Sequence, residues 1–288
     1  MEGRVIAAHG RQYLVELAEG LILPCFTRGK KSDVACGDRV SIMRSSEDQG
    51  VIEAIQPRTS LLYRSNEVKQ KLIAANVDQL LIVVATEPAF SDDLITRALI
   101  AAESEEIEPV IILNKCDLTD KLAAARERLT LFSNIGYRVI ELSARDHAED
   151  LRPELAGVTS VLVGQSGMGK STLVNALAPE AKAATREISL ALDSGKHTTT
   201  HATLYHLNTD SHLIDSPGLQ EFGLGHLDRQ EIEQAFPEFR PYLGQCRFRD
   251  CHHNKEPDCA LTAAVHSGKI DKKRFDAYHR IIGNQRDS

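Results

Sequence analysis

The sequence predicts a multidomain fold with three parts: an N-terminal all-β barrel of the OB type, a central α/β domain of the P-loop type, and a small, mainly helical C-terminal domain built around a metal. Three observations predict it. Short apolar segments separated by glycines fill the first 60 residues, buried strands alternate with helical patterns after about residue 70, and three cysteines crowd between positions 246 and 259. We expect the domain boundaries at residues 1–62, 63–225 and 226–288.

The composition is that of a soluble intracellular protein. The chain has 288 residues, of which 42% are hydrophobic and 26% charged, and this is enough to form more than one core. The longest apolar run, at 80–85, is far below the roughly 20 residues that span a bilayer, and the N-terminus has no signal-peptide core. Six cysteines are too few for a disulfide scaffold. We therefore expect a cytoplasmic protein without membrane contact, and a monomer, because no long heptad pattern is present.

The net charge of −7 argues weakly against nucleic-acid binding, but the charge is unevenly distributed. Residues 63–235 are acidic, whereas residues 236–288 contain an excess of Lys and Arg. Because salt screens charges beyond about 10 Å, a local basic patch can still contact phosphate groups. A solvated helix face explains the same pattern equally well. The patch consists of Lys269, Lys272, Lys273 and Arg274.

The first region predicts five short strands, at 5–7, 13–17, 21–23, 39–42 and 51–55, which suggest a barrel. In an OB-type barrel, Arg28, Lys30 and Lys31 would lie in a loop that can meet phosphates. Aromatic residues that could stack on bases are scarce, so an SH3-like or purely packing barrel stays open. Residues 57–63 would form the linker.

The central region alternates strands and helices, as parallel α/β sheets require. We expect helices over 92–103 and 121–132. Each candidate binding motif follows one of the expected strands, which are 77–85, 110–113, 137–142, 158–163 and 213–214.

The phosphate loop is the strongest motif. In this pattern backbone amides and the following helix N-terminus hold phosphate oxygens, Lys170 reaches the β and γ phosphates, and the Ser171 hydroxyl binds magnesium. Its glycines allow the close backbone approach. The loop consists of Gly164, Gln165, Ser166, Gly167, Met168, Gly169, Lys170 and Ser171, and Thr172 follows it.

A second motif, Asn114-Lys115-Cys116-Asp117, favours guanine over adenine. The Asp117 carboxylate can accept hydrogen bonds from the guanine imino and amino groups, which adenine does not offer in that pattern. Ser143-Ala144, after the next strand, resembles the loop whose amide meets the guanine carbonyl, although it could be an ordinary turn. The guanine motif precedes the phosphate loop in the chain, so the sequence predicts a circularly permuted GTPase, with all loops still at the carboxyl ends of the strands.

Two later segments complete the expected site. Asp215-Ser216-Pro217-Gly218 matches a DxxG pattern, in which Asp215 holds magnesium through water and the Gly218 amide senses the γ phosphate. Thr199, in the polar stretch 194–200, is our choice to complete the magnesium shell, although a threonine-rich strand would read the same.

The polar side chain that would position the attacking water is missing after Gly218. Leu219 stands there, and an apolar side chain cannot orient water. His197 is the candidate catalytic residue, together with Lys170 and Thr199. A histidine with no catalytic part, in a surface loop, is an equal alternative. Intrinsic turnover should be slow, with a partner completing the site.

The C-terminal cluster has the spacing Cys246-x4-Cys251-x-His253-x5-Cys259. Three thiolates and an imidazole within a turn-rich segment favour one tetrahedral zinc ion, structural rather than catalytic because no open position is left. His252 is a competing ligand, and reduced cysteines without a metal are the alternative. Helices are expected over 260–266 and 271–282, packed on the cluster.

The barrel, the motifs NKCD, GQSGMGKS, GKHTTT and DSPGL in that order, and the CxxxxCxHxxxxxC cluster together resemble the RsgA (YjeQ/YloQ) family of bacterial GTPases that depend on the small ribosomal subunit. The resemblance implies an OB-fold, a permuted GTPase domain and a zinc domain that act together on the small (30S) subunit and its rRNA late in maturation. It also implies GTP hydrolysis stimulated by that particle, with magnesium bound beside GTP or GDP.

Carried over by position, the resemblance implies that 164–171 bind phosphates, Asn114, Lys115 and Asp117 the base, Thr199 magnesium, and the Cys/His cluster zinc. His197 matches a histidine proposed to help catalysis. One departure is Ser194, which stands where family members often have arginine. Two other classes stay open: an RNA-binding module in which turnover is incidental, and a kinase, which leaves NKCD and DSPGL without a task.

Overall fold

A computed structural model describes residues 1–28, 33–66, 69–179, 202–216 and 222–286. Within these ranges the predicted multidomain architecture is confirmed: a β-barrel, an α/β sheet with flanking helices, and a mainly helical C-terminal region. No helix in the same ranges is both long and apolar enough to cross a bilayer.

The N-terminal barrel has five strands, each overlapping a predicted one: β1 (Glu2–His9), β2 (Gln12–Leu17), β3 (Ile22–Thr27), β4 (Arg39–Arg44) and β5 (Gly50–Ile55). The largest differences are at β1, which begins three residues earlier than predicted, and at β3, which ends four residues later. The strands follow the order β1-β2-β3-β5-β4, and β4 pairs back onto β1, so the barrel is closed. Only the β3–β5 pairing is parallel. Its interior is a separate core that includes Val5, Tyr13, Val15, Cys25 and Val40.

A hairpin follows where the sequence had suggested only a linker over 57–63. Strand β6 (Leu61–Asn66) begins inside that range and pairs antiparallel with β7 (Lys69–Ala75), with Leu61 opposite Ala75. The linker is therefore shorter than expected. The alternation of polar and apolar residues is too weak over these strands to indicate them.

The central region forms one sheet whose strands are β8 (Gln79–Ala85), β9 (Glu108–Asn114), β10 (Arg138–Glu141), β11 (Thr159–Val163), β12 (Thr203–His206) and β13 (His212–Asp215). Their order is β10-β9-β8-β11-β13-β12, parallel except for β12. The helices are α1 (Asp92–Ser104), α2 (Leu122–Ser133) and α3 (Lys170–Leu177). Strand β8 is buried along its whole length, as the continuous apolar run requires.

Strand β12 joins the barrel to the central sheet. It pairs antiparallel with β13 on one side and with β1 on the other, where Ala7 lies opposite Thr203. The barrel and the central strands therefore belong to one sheet of 11 strands.

The C-terminal region contains α4 (Arg229–Gln234), α5 (Ala260–His266) and α6 (Lys272–Arg286). Its core is aromatic: the rings of Phe236 and Phe239 stack 4.6 Å apart and both contact Tyr278. The predicted basic patch needs a correction here. Arg274 is only 1% exposed and bonds to Glu238, so Lys269, Lys272 and Lys273 remain as the exposed cations of that patch.

Candidate nucleotide cavity and metal centre

The predicted guanine and phosphate loops line one cavity of about 540 Å³ at the carboxyl ends of the parallel strands. Asp117 and Lys170 both line it, which is the condition for the two loops to hold opposite ends of one nucleotide. Parallel α/β sheets bind ligands at this edge because their loops converge there. The lining residues are Asn114, Lys115, Asp117, Leu118, Ser143, Ala144, Arg145, Ser166, Gly167, Gly169, Lys170, Ser171, Thr172, Asp215 and Ser216.

Asn114 holds three loops together. Its side chain is 1% exposed, and its Nδ2 donates to the Met168 carbonyl of the phosphate loop at 2.8 Å. Its Oδ1 accepts from the amide of Ala144 at 2.9 Å and from that of Lys115 at 2.8 Å. A buried amide with every partner satisfied fixes its neighbours, because breaking one bond leaves a desolvated polar group. Asn114 therefore fixes the relative positions of loops that are distant in the sequence.

Lys115 adds a second link between the same loops. Its backbone is left-handed, with φ of 61°, and its Nζ donates to the carbonyls of Gly167 at 2.6 Å and Glu87 at 2.7 Å. The extended apolar stem of Lys115 then lies along the cavity wall, where it can contact the flat face of a base.

At two positions of the phosphate loop, glycine is required both by the positive φ and because there is no room for a Cβ atom. A Cβ added to Gly164, whose φ is 143°, would lie 2.3 Å from the Val83 carbonyl oxygen. A Cβ on Gly169, whose φ is 92°, would lie 2.3 Å from Asn114 Nδ2. Either side chain would therefore push the loop away from the neighbouring segment.

Lys170 and Asp215 place opposite charges in a desolvated part of the cavity. Lys170 is 8% exposed, and its Nζ donates to the carbonyls of Gly164 at 2.5 Å and Gln165 at 2.9 Å. Burial lowers the pKa of Lys170, while Asp215 opposes that shift; burial raises the pKa of Asp215, and Lys170 opposes it. Each charge gains from a further counter-ion, which suits a phosphate beside Lys170 and a cation beside Asp215.

Some predicted residues have other positions. Gly164, Gln165 and Met168 are described but are not among the residues that line the cavity; Met168 is buried, and the Gln165 side chain binds the Ser91 amide. The segment with Ser194, His197 and Thr199, and the pair Gly218 and Leu219, lie outside the described residues, so their roles stay predictions. Leu118, Arg145 and Ser216 line the cavity without having been predicted, although each directly follows a motif residue.

The second candidate site is the cluster of Cys246, Cys251, His253 and Cys259, whose ligand atoms all lie within 4.8 Å of one another. His253 Nδ1 is 3.5 Å from Cys246 Sγ and 3.4 Å from Cys259 Sγ, and the two sulfurs are 3.9 Å apart. Zinc–ligand bonds of about 2.0–2.3 Å in a tetrahedron give edges of roughly 3.5–3.8 Å. The four residues therefore fit a tetrahedral metal, and these cysteines form no disulfide.

The surroundings favour His253 as the fourth ligand over His252. His253 Nε2 lies 3.5 Å from Glu233 Oε1, which also accepts from Tyr278 at 2.6 Å and from Arg229 at 2.8 Å. Although burial opposes ionisation, the contacts from His253, Tyr278 and Arg229 lower the pKa of Glu233 to about 2. Such a carboxylate orients a metal-binding imidazole. His252 is exposed and contacts Arg229 instead.

Known proteins similar to this chain are GTPases of one family. A family model described as RsgA GTPase matches residues 55–225. Proteins named small ribosomal subunit biogenesis GTPase RsgA are similar over almost the whole chain. That of Burkholderia pseudomallei (strain K96243) is 57% identical over 286 residues, covering 98% of this chain and 91% of the relative. That of Bordetella pertussis (strain Tohama I) is 57% identical over 285 residues, covering 98% and 95%.

Two solved structures have the same overall fold. YloQ, described as a circularly permuted GTPase, gives a TM-score of 0.72 at 29% identity and covers 99% of this chain and 95% of its own. YjeQ from Thermotoga maritima gives 0.73 at 31% identity and covers 99% and 98%. The permuted order of the motifs is therefore shared with a solved fold.

Proposed function

The chain belongs to the RsgA GTPase family, and from this premise we propose that it binds the small (30S) ribosomal subunit and hydrolyses GTP during late maturation of that subunit, faster when bound. Family membership makes it a GTP hydrolase that forms GDP and phosphate. The observation that carries the proposal is the single cavity lined by Asp117 at one end and Lys170 at the other.

The base would bind at the exposed Asp117 carboxylate, which accepts from the imino and amino groups of guanine. The Ala144 amide already bonds to Asn114, so its loop is held in place beside the base. The Lys115 stem would cover one face of the ring. Ser143 completes this wall of the cavity.

The phosphates would bind to the amides of the loop 164–171 and to Lys170, with Thr172 at the start of helix α3. Ser171 and Thr199 would hold magnesium directly and Asp215 through water, and the ion would neutralise charge that develops on the phosphate oxygens. Gly218 would sense the γ phosphate. Residues 199 and 218 enter from the sequence pattern alone.

For the attacking water we propose His197, since Leu219 has no polar atom to orient it. We expect slow intrinsic turnover, with the bound subunit completing the site.

For the metal centre we propose one structural zinc ion held by Cys246, Cys251, His253 and Cys259, because three thiolates and an imidazole leave no open position for chemistry. The chain would act as a monomer in the cytoplasm, away from membranes. We also propose the boundaries 1–62, 63–225 and 226–288, and the exposed Lys269, Lys272 and Lys273 as contacts to rRNA phosphates.

The test measures phosphate release with and without small subunits, for the unchanged chain and for Ser171→Ala. We expect subunits to raise the rate by orders of magnitude and Ser171→Ala to abolish the increase. Ser133→Ala, an exposed serine at the end of helix α2, is the control and should behave like the unchanged chain. Stimulation of only a fewfold would instead favour a nucleotide-gated RNA-binding module.

Co-sedimentation with small and large subunits tests the partner. We expect binding to small subunits alone, and tighter binding with a non-hydrolysable GTP analogue than with GDP. Equal affinity in both nucleotide states would leave a GTP-controlled cycle without a thermodynamic basis.

Base recognition is tested by Asp117→Asn. Xanthine carries a carbonyl where guanine carries its amino group, so an amide at position 117 can donate to it. We expect the affinity for GTP to fall about 100-fold and that for xanthosine triphosphate to rise. Asp120→Asn, an exposed residue three positions later that does not line the cavity, is the matched control. Unchanged selectivity in Asp117→Asn would place the base elsewhere.

A further inference from the structure

Helix α1 begins at the phosphate loop. The Ser91 amide, directly before the helix, donates to Gln165 Oε1 at 3.1 Å, while the Ser91 hydroxyl caps the helix by accepting from Leu94 at 3.3 Å. Gln165 belongs to the phosphate loop, yet it does not line the cavity. Its position in the motif accepts any residue as far as phosphate binding is concerned. The Gln165 side chain is thus directed to α1 rather than to the ligand.

The segment that leads into α1 is held by the same loops. Thr86 Oγ1 donates to the Lys115 carbonyl at 3.0 Å, and Lys115 Nζ donates to the Glu87 carbonyl at 2.7 Å. Pro88 lies beside Gly167, where an added Cβ would be 3.4 Å from its ring. The entry to α1 is therefore in contact with both the guanine loop and the phosphate loop.

The other attachment of α1 is to the C-terminal region, through three arginines. Arg280 pairs with Asp93 at 2.6 Å, the buried Arg274 donates to Thr96 Oγ1 at 3.0 Å, and Arg240 pairs with Glu103 at 2.6 Å. Asp93 and Glu103 are ten residues apart, which is about 15 Å along a helix. The contacts run along most of α1, so the C-terminal region follows this helix as a rigid element.

We propose that Gln165 is a positioning residue that couples occupancy of the nucleotide cavity to the docking of the C-terminal region through α1. When a triphosphate draws the loop amides onto its oxygens, the Gln165 side chain moves with the loop and shifts the first turn of α1. Arg274 and Arg280 carry that shift to α6, and Arg240 carries it to the segment before the metal cluster. The inference rests on the proposed binding of GTP in this cavity.

The test is hydrogen exchange on the full chain, free, with GDP and with a non-hydrolysable GTP analogue, each at saturation. We expect exchange in 272–286 of the unchanged chain to differ about fivefold or more between the GTP-analogue and free states. In Gln165→Met, which keeps the length but loses the acceptor, that difference should vanish. In Gln165→Glu, which keeps an acceptor for the Ser91 amide, it should return.

A second variant tests the far attachment. Arg280→Ala removes an exposed pair with Asp93 and should reduce the nucleotide response of 272–286 while the response of 92–96 persists. Arg126→Ala is the matched control, because it removes an equally exposed pair of 2.6 Å with Glu141 that does not reach the C-terminal region. It should leave both responses unchanged.

The outcomes separate this inference from the proposed function. An unchanged chain that binds no guanine nucleotide would overturn both. Tight nucleotide binding without any response in 272–286, or a full response in Gln165→Met, would overturn only the coupling. Loss of the response in Gln165→Met with recovery in Gln165→Glu supports it, since a general loss of stability would not be reversed by a restored acceptor.

Discussion

The two candidate sites are built in opposite ways. The nucleotide cavity draws its lining from loops around positions 114–118, 143–145, 166–172 and 215–216, whereas the metal cluster lies within residues 246–259. The cavity is framed by finished strands and by the buried Asn114, so it is formed before a ligand arrives. The cluster has four candidate ligand atoms but little apolar sequence between them, so we expect its folding to depend on a bound metal.

Metal removal should give the largest effect. Structural zinc contributes on the order of 10 kcal/mol to small domains, so a chelator or Cys259→Ser should unfold the segment 246–259 and release α5. Hydrogen exchange in 246–266 measures it, with nucleotide affinity as the comparison. Cys25→Ala, at a buried cysteine of the barrel core, is the control and should retain the metal. If hydrogen exchange in 246–266 stayed slow after complete removal of the metal, this segment, like the nucleotide cavity, would form without its ligand.

Arg274→Met tests whether contacts outside the metal cluster also stabilise the C-terminal region. Arg274 is 1% exposed, bonds to Glu238 at 2.7 Å and lies 4.6 Å from the Phe236 ring centroid. Its loss leaves a buried carboxylate without its partner, so unfolding free energy should fall by about 3–5 kcal/mol. Urea denaturation of the metal-loaded chain measures this. Arg126→Met, in an exposed pair, should lower the free energy of unfolding far less. Equal losses in both variants would remove Arg274 as an anchor.

Gly169→Ala tests the frame of the cavity. The added Cβ would meet Asn114 Nδ2 at 2.3 Å, and this should weaken GTP binding about 100-fold by separating the two loops. Gly157→Ala shares the left-handed backbone, with φ of 74°, but has nothing within 4 Å of its added Cβ. It therefore isolates the steric effect from backbone strain of about 1–3 kcal/mol. Similar GTP affinity in both variants would show that the two loops can accommodate the methyl group added in Gly169→Ala.

The smallest expected effect is a pH dependence of stability that arises from His212, the first residue of strand β13. Burial, helped by Arg4 and His206, lowers the pKa of His212 to about 4. A lowered histidine pKa means that stability is complete above about pH 6.5 and falls as pH drops towards 4. Because His212 is partly exposed, we expect only about 1 kcal/mol, measured as the urea midpoint between pH 7 and 4. His212→Asn should flatten that change, and His147→Asn, an exposed histidine, should not. An identical pH profile in His212→Asn would assign the acid sensitivity to other groups.

The sequence predicted those parts of the molecule whose functional residues lie close together in the chain. The phosphate loop and the guanine motif line one cavity, and the four candidate metal ligands form one cluster, as their spacing in the sequence predicted. Helices were predicted closely where apolar periodicity was strong: 260–266 matches α5 completely, and 92–103 ends one residue before α1 does.

What could not be predicted depends on partners distant in the chain. Nothing near Gln165 indicates that its side chain accepts from Ser91, 74 residues earlier, and nothing near Glu233 indicates that it lies beside His253. Arg274 reads as a surface cation among lysines, yet Thr96 and Glu238 bury it. Side chains with two possible environments are assigned only once the tertiary contacts are known.

The pairing of β12 with β1 has a practical consequence for anyone who divides this chain. A fragment that begins after residue 62 would leave Thr203–His206 as an open strand edge, with amides and carbonyls free to recruit a second molecule. The first five strands thus act as a terminator of sheet growth, and a truncated fragment should self-associate as its concentration rises unless that edge carries an added charge.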